Sequence, residues 1–173
     1  MQNELLKYLE GGDLRSIGNV DKLLPLIKTQ SDFDNLFEHL FSKNRLVVMR
    51  TVDALEKISA TRPGFLRNHK LDVLNFMQTA KEKEFKWHLS LMVSRLDLTS
   101  DELDKVWQQL TKWAMDKNES RIVRVNSIQS LYNLAKLHKG FKTDLNLIVQ
   151  EIRKEKIPSL NARFRKLEKE KLE

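Results

Sequence analysis

SRIVRVNSIQSLYNLAKLHKGF, residues 120–141, closely resembles NRLVVMRTVDALEKISATRPGF, residues 44–65. Each stretch opens with a polar residue, a basic residue and a short apolar run, and each ends in Gly-Phe. A shift of 76 residues superposes apolar or small residues at spacings of four, four and three. That spacing is typical of one face of an α-helix, whereas a β-strand would alternate every second residue. The two stretches therefore predict two copies of one helical unit.

A third copy lies halfway between them. A shift of 38 residues places a further apolar series in the same register: Phe85, Leu89, Val93, Leu96 and Leu103. A period near 38 residues is too long for one helix and suits two helices joined by a turn. The repeat predicts an all-α fold made of successive helical hairpins.

The predicted organisation is one domain over residues 1–173. It has an N-terminal capping segment, residues 1–31, interrupted by Gly11-Gly12 and Gly18. Four helical hairpins follow, over residues 32–60, 64–97, 101–137 and 141–172. A solenoid of this kind needs polar ends, and the Lys- and Glu-rich end RKLEKEKLE fits the second cap.

Particular residues predict where the helices begin and end. Starts are expected at polar caps or at a proline: Ser31, Thr99 or Ser100, and Pro158. Ends are expected near Gly64 and Gly140, because glycine tolerates the left-handed conformation that often closes a helix.

The second helix of each hairpin resembles the signature of HEAT repeats, V-R-x-x-A-x-x-A-L. The copies read VVMRTVDAL (residues 47–55), FKWHLSLMV (85–93), VRVNSIQSL (123–131) and, more loosely, SLNARFRKL (159–167). Ser127 and Ser130 stand in the alanine places, and Val48 stands in one arginine place. The resemblance implies an armadillo-type fold, in which helix pairs stack into a right-handed αα-superhelix that serves as a scaffold for partners. It implies no reaction.

Stacking explains the residue types in these copies. A single hairpin cannot bury its apolar face, so that face is covered by the next hairpin. Small side chains let helices approach to about 8–10 Å; those expected at the contacts are Thr51, Ala54, Ser127 and Ser130.

Composition limits the function classes. The chain has no cysteine, which excludes disulfides and a cysteine nucleophile and is consistent with a cytoplasmic location. Its start lacks the apolar core of a secretory signal, and no apolar run is long enough to span a membrane. The formal net charge is +7, and residues 121–173 hold 13 Lys and Arg against six Asp and Glu. A basic end attracts acidic proteins or nucleic acid, but it can also simply face water.

Basic residues recur at equivalent positions of the predicted second helices, which usually line the concave face of such solenoids. The candidate partner-binding residues are Arg45, Arg50, Lys83, Lys86, His88, Arg121 and Arg124. A cation at a helix N-terminus is mildly unfavourable, so its repetition hints at a use. The alternative is that these side chains pair with carboxylates such as Glu82, Glu84 and Glu119.

No catalytic apparatus is recognisable. The four histidines lack a metal-ligand spacing, and there is no phosphate-binding glycine loop or nucleophile elbow. No cofactor or metal is expected. Trp107 shares a helical stripe with Leu103, Leu110 and Ala114, so it is predicted to be core.

Three functions stay open at this point. The first is a non-enzymatic adaptor that holds an acidic protein or peptide on a basic concave face. The second is a DNA- or RNA-binding solenoid, similar in architecture to the DNA alkylation repair proteins, although the aromatic cleft and carboxylate of those enzymes are not found. The third is an enzyme or an enzyme accessory, for which no residue can be named.

Overall fold

The fold is built from α-helices. The structure, a computed structural model, describes residues 2–11 and 18–170, and within these ranges it contains α-helices and short 3₁₀ helices but no β-strand. The all-α prediction is confirmed. The chain forms two compact units, Met1–Lys70 and Leu71–Glu173, and each is described separately. Gly12 and the last three residues of the predicted C-terminal cap lie outside the described residues.

The first unit contains four α-helices among its described residues: α1 (Gln2–Leu9), α2 (Val20–Leu23), α3 (Gln30–Phe37) and α4 (Arg45–Thr61). Three 3₁₀ helices join them or follow them: Leu24–Leu26, Glu38–Phe41 and Pro63–His69. The predicted cap at Ser31 is wrong. Thr29 caps α3 instead, in a reciprocal capping box with Asp32, because Asp32 can accept from the backbone N–H groups of both Lys28 and Thr29.

The core of the first unit surrounds α4, which packs against α1, α2 and α3. One face of α4 is fully buried, including Thr51, Val52 and Leu55. Beside this core, the ring of His69 stacks on Phe37 with centroids 3.8 Å apart. The Nε2 atom of His69 lies 2.6 Å from Oδ1 of Asp34. Partial burial raises the pKa of Asp34, but hydrogen bonds from Gln30 and His69 outweigh it and leave that pKa below its usual value.

The described part of the second unit contains six α-helices: α5 (Lys70–Thr79), α6 (Lys83–Val93), α7 (Ser100–Met115), α8 (Arg121–Leu137), α9 (Lys142–Arg153) and α10 (Pro158–Lys169). Thr99 caps α7 in a capping box with Glu102, and α10 begins at Pro158. Both starts agree with the sequence.

The helices α4 and α8 end near the predicted glycines, at Thr61 and Leu137, but the prediction that Gly64 and Gly140 adopt the left-handed conformation is wrong. Both Gly64 and Gly140 lie inside 3₁₀ turns, Pro63–His69 and Lys139–Phe141, each separated from the preceding helix by one residue, Arg62 or His138. The glycines with a positive φ among the described residues are Gly11 (79°) and Gly18 (60°). The helices α4 and α8 therefore end at residues with non-helical backbone angles, Arg62 and His138, whose N–H groups still donate to the carbonyls of Ile58 and Leu134.

Helix α8 is the centre of the second unit and packs against α6, α7, α9 and α10. Trp107, Trp113 and Leu131 belong to the buried cluster around it, so the prediction of a core Trp107 is confirmed. Side chains 37 residues apart meet in this unit: Ser90 Oγ lies 3.3 Å from Ser127 Oγ, and Trp107 donates to Asp144. The sequence period thus corresponds to contacts within the second unit, while a continuous superhelix over the whole chain stays a prediction.

Candidate functional site

Arg124 is a buried structural residue. Its side chain is about 1% exposed. Nε donates to the carbonyl oxygen of Ala114 at 2.8 Å, and the two terminal nitrogens form a two-pronged ion pair with Glu155 at 2.9 and 2.8 Å. This hydrogen bonding, helped by the positive charges of Arg124 and Lys117, lowers the pKa of Glu155. Arg124 is therefore unavailable to a partner, because its guanidinium is already satisfied inside the second unit.

Arg50 has a similar role in the first unit. It is about 3% exposed and donates to the carbonyl oxygens of Leu9 and Glu10, at 3.0 and 2.8 Å. Both arginines thus lie near the start of a long helix and bind carbonyls at the end of an earlier helix. Those carbonyls have no partner within their own helix. Arg50, like Arg124, is therefore not available to bind a partner.

Lys86 and His88 lie on α6 and are only partly exposed. The Nζ atom of Lys86 lies 2.6 Å from Oε2 of Glu119, as the alternative interpretation predicted, and it also lies 6.0 Å from the ring centre of Trp113. The ring of His88 meets Trp87 edge to face, with centroids 5.5 Å apart. Lys86 is therefore engaged in an ion pair and His88 in aromatic packing, both within the second unit.

Three of the predicted residues are exposed cations at the first position of a helix. Arg45 begins α4 in the first unit, whereas Lys83 begins α6 and Arg121 begins α8 in the second unit. Of these, Arg121 lines a groove. The structure therefore keeps one predicted residue, Arg121, in a concave site that a partner could enter.

That groove runs between α8 and α10 and has a volume of about 540 Å³. We call it the α8–α10 groove, and it is lined by Arg121, Ile122, Val125, Asn126, Ser159, Ala162, Arg163 and Lys166. Arg163 donates to Gln129, and further along both helices Tyr132 donates to the carbonyl oxygen of Leu167. Since residue numbers rise in the same direction along α8 and α10, the two helices are parallel. On the α8 side of the groove, Asn126 donates to the carbonyl oxygen of Trp87 on α6 at 2.9 Å.

The α8–α10 groove is basic. Its lining includes three cations, Arg121, Arg163 and Lys166, and no carboxylate. Arg163 donates to the amide oxygen of Gln129, a neutral partner that orients the guanidinium and leaves its charge uncompensated. Within residues 2–11 and 18–170, Arg121 and Lys166 form no ion pair. Cations that no internal carboxylate neutralises create a positive potential inside a concave surface.

The same groove also exposes apolar surface. The side chain of Ile122 is 52% exposed, and it lies one helical turn before Val125. Ser159 and Ala162 on the facing helix are small, so they leave the space between the helices open. Exposed apolar residues rimmed by charge are typical of a surface that binds a protein.

Two other concave regions of the second unit have mixed charge. The larger, about 780 Å³, lies between α5 and α7 and includes Glu102 beside Lys105 and Lys112. The other, about 490 Å³, includes Glu170 beside three lysines at the end of α8 and the start of α9. A carboxylate in each lowers the local attraction for an anion, so the α8–α10 groove is the better candidate.

Sequence reasoning missed Arg163, Lys166 and Ile122. Arg163 and Lys166 are three residues apart in the fourth copy, SLNARFRKL, and this spacing places both on one side of α10. The spacing of Arg163 and Lys166 could therefore have been recognised from the sequence alone. The pairing of α10 with α8, which brings Arg121 to the same groove, depends on tertiary contacts.

The described residues contain no cluster of three or more side chains suited to a metal ion. No helix in that part of the chain is both long enough and apolar enough to cross a membrane. No protein-family model, curated protein or solved structure matches the chain. The HEAT-like pattern therefore stays an interpretation of the sequence.

Proposed function

We propose that this chain is a non-enzymatic, HEAT-like adaptor whose second unit binds an acidic segment of a partner protein in the α8–α10 groove. The observation that carries the proposal is the combination of three uncompensated cations with exposed apolar side chains in one groove. Carboxylates of the partner would meet Arg121, Arg163 and Lys166. Apolar side chains of the same segment would cover Ile122 and Val125.

The lining of the groove favours a protein over a nucleic acid. Proteins that hold single-stranded nucleic acid combine cations with aromatic rings on which the bases stack. The residues that line this groove include cations, aliphatic side chains and amide or hydroxyl groups, but no aromatic ring. An aliphatic surface such as Ile122 gains more from an apolar protein side chain, because burying it removes apolar area from water.

The test uses a fluorescein-labelled peptide of Glu and Leu with a few Ser, and fluorescence anisotropy at low salt. We expect the peptide to bind the full chain and to bind the double variant R121E/K166E at least about tenfold more weakly, since two attractions become repulsions. The matched control is K105E/K112E, which reverses two exposed lysines on α7 and should retain binding. Thermal unfolding of each variant checks that the fold is intact.

Either of two results would refute the proposal. One is equal binding by R121E/K166E and the parent chain. The other is tighter binding of labelled single-stranded or duplex DNA than of the peptide, with a steep salt dependence and the same loss in R121E/K166E.

A further inference from the structure

The walls of the α8–α10 groove restrict the conformation of its occupant. Both walls are α-helices, so beyond the first turn of each helix their backbone N–H and C=O groups are bonded within their own helices. They offer no sheet edge to which an extended segment could add as a strand. An extended peptide pressed onto Ile122 and Val125 would leave part of its own backbone without partners, which is costly. A helical segment satisfies its backbone internally.

The cations are placed along the groove rather than gathered at one point. Because Tyr132 is level with Leu167, Lys166 is level with a residue about ten positions after Arg121 on α8. At about 1.5 Å per residue, Arg121 and Lys166 are separated by roughly 15 Å along the groove. Arg163 lies beside Gln129, between these two levels but closer to Lys166.

Between its charged ends, the groove has an apolar ridge on one side and small side chains on the other, an arrangement on which a further helix can pack. Ile122 and Val125 form a ridge with a spacing of three on α8, and Ser159 and Ala162 form a shallow wall with the same spacing on α10. Ridges at this spacing accept the side chains of a neighbouring helix, and small residues allow an approach of about 8–10 Å.

We propose that the partner segment binds the α8–α10 groove as an amphipathic α-helix. Its apolar stripe lies on Ile122, Val125 and Ala162, and it carries a carboxylate at each end of that stripe. The two carboxylates are about two to three helical turns apart, which matches the separation of Arg121 from Lys166. This inference rests on the proposed function and specifies the class of partner.

The experiment compares three peptides of about 16 residues, long enough for four helical turns. The first two contain the same Glu, Leu, Ser and Gln residues. The first places Leu at helical spacing with Glu at both ends of the stripe. The second has the same composition in an order without that spacing. The third has the order of the first with proline replacing one central Ser. Anisotropy gives the affinity, and the amide I band of ¹³C-labelled peptide reports its conformation separately from the unlabelled protein.

We expect the first peptide to become helical on binding and to bind at least about tenfold more tightly than the second or the third, because proline is incompatible with a helix interior. R121E/K166E should remove most of that binding. Ile122→Ser should weaken it several-fold without changing thermal unfolding. The matched control Leu147→Ser, at a side chain 59% exposed on α9, should leave it unchanged.

The outcomes separate this inference from the proposed function. If all three peptides bind equally and R121E/K166E weakens each of them, the acidic-segment function stands and the helix inference is overturned. If the first peptide binds but stays non-helical, the inference is overturned as well. If none of the three binds, both the inference and the proposed function are refuted.

Discussion

Replacing Arg124 by methionine should destabilise the second unit more than any surface substitution. Methionine is uncharged and resembles the aliphatic part of arginine, so the change removes the guanidinium group with its three hydrogen bonds and keeps most of the aliphatic packing. It leaves the carboxylate of Glu155 and the carbonyl of Ala114 without their donor. Glu155 is held in place by the turn before α10, and its side chain is 15% exposed, so water can replace only part of the lost interaction.

The magnitude follows from this burial. Removing one partner of a buried ion pair costs about 3–5 kcal/mol, because the remaining charge is uncompensated. Since Glu155 retains some access to water, we expect a loss of about 3 kcal/mol. The double variant R124M/E155M removes both charges and should lie within about 1 kcal/mol of the parent chain, because two apolar groups can replace a buried pair at little cost.

The assay is equilibrium unfolding in urea followed by tryptophan fluorescence. The three tryptophans of the chain, Trp87, Trp107 and Trp113, all belong to the second unit, so their emission reports on that unit. The control is Arg121→Met, one turn earlier on the same helix at an exposed position. It should change the free energy of unfolding by no more than about 0.5 kcal/mol.

The effect should also depend on pH. Arg124 lowers the pKa of Glu155 in the folded state. The contribution of the pair is therefore fully present above the unfolded-state pKa of the carboxyl, and it is lost as the pH falls through the lower folded-state pKa. The difference between R124M and the parent chain should narrow in that acidic range. A cost below about 1 kcal/mol at neutral pH, or no recovery in R124M/E155M, would refute the reasoning.

Two further predictions concern the first unit. Gly18→Ala should cost more than Gly11→Ala in urea unfolding followed by circular dichroism: both sites have a positive φ, but only at Gly18 would the new methyl lie 2.7 Å from the guanidinium carbon of Arg50. Equal costs would show that Arg50 moves aside freely. Asp34→Asn should destabilise the chain by about 0.5–1 kcal/mol at neutral pH, a value reduced for solvent screening because Asp34 is 39% exposed. The folded-state pKa of Asp34 is lowered. The stability difference between D34N and the parent chain should therefore be present above the unfolded-state pKa and vanish as the pH falls through the folded-state pKa. A stability difference that stays constant with pH would contradict a role for the charge of Asp34.

The helices could be predicted from the sequence because their signals are local. The apolar spacing of four, four and three located α4 and α8, and Pro158 marked the start of α10. The errors arose where two local signals compete. Ser31 and Thr29 are both acceptable caps for α3, and the choice of Thr29 follows from where Asp32 can bond back.

The candidate site was harder to predict because charge alone does not tell which cations are exposed. Arg121 and Arg124 are three residues apart on α8, yet Arg121 is exposed and Arg124 is about 1% exposed. The difference depends on Glu155, which comes from a distant turn. Alignment of the copies can therefore identify a cation that recurs at equivalent positions, but the carboxylate that neutralises it is determined by the tertiary fold.

The two most similar stretches of the sequence, residues 44–65 and 120–141, carry information about structure rather than about binding. In both, an arginine near the start of the long helix, Arg50 or Arg124, is buried against carbonyls at the end of an earlier helix. The 76-residue shift aligns Arg124 with Val48 and Arg50 with Asn126, so the same kind of contact is made from different positions of the repeat, and no partner is needed to explain either arginine. A binding site has to distinguish one face of the molecule from the others. It is therefore better sought where the copies differ, and Arg163 and Lys166 occur in the most divergent copy.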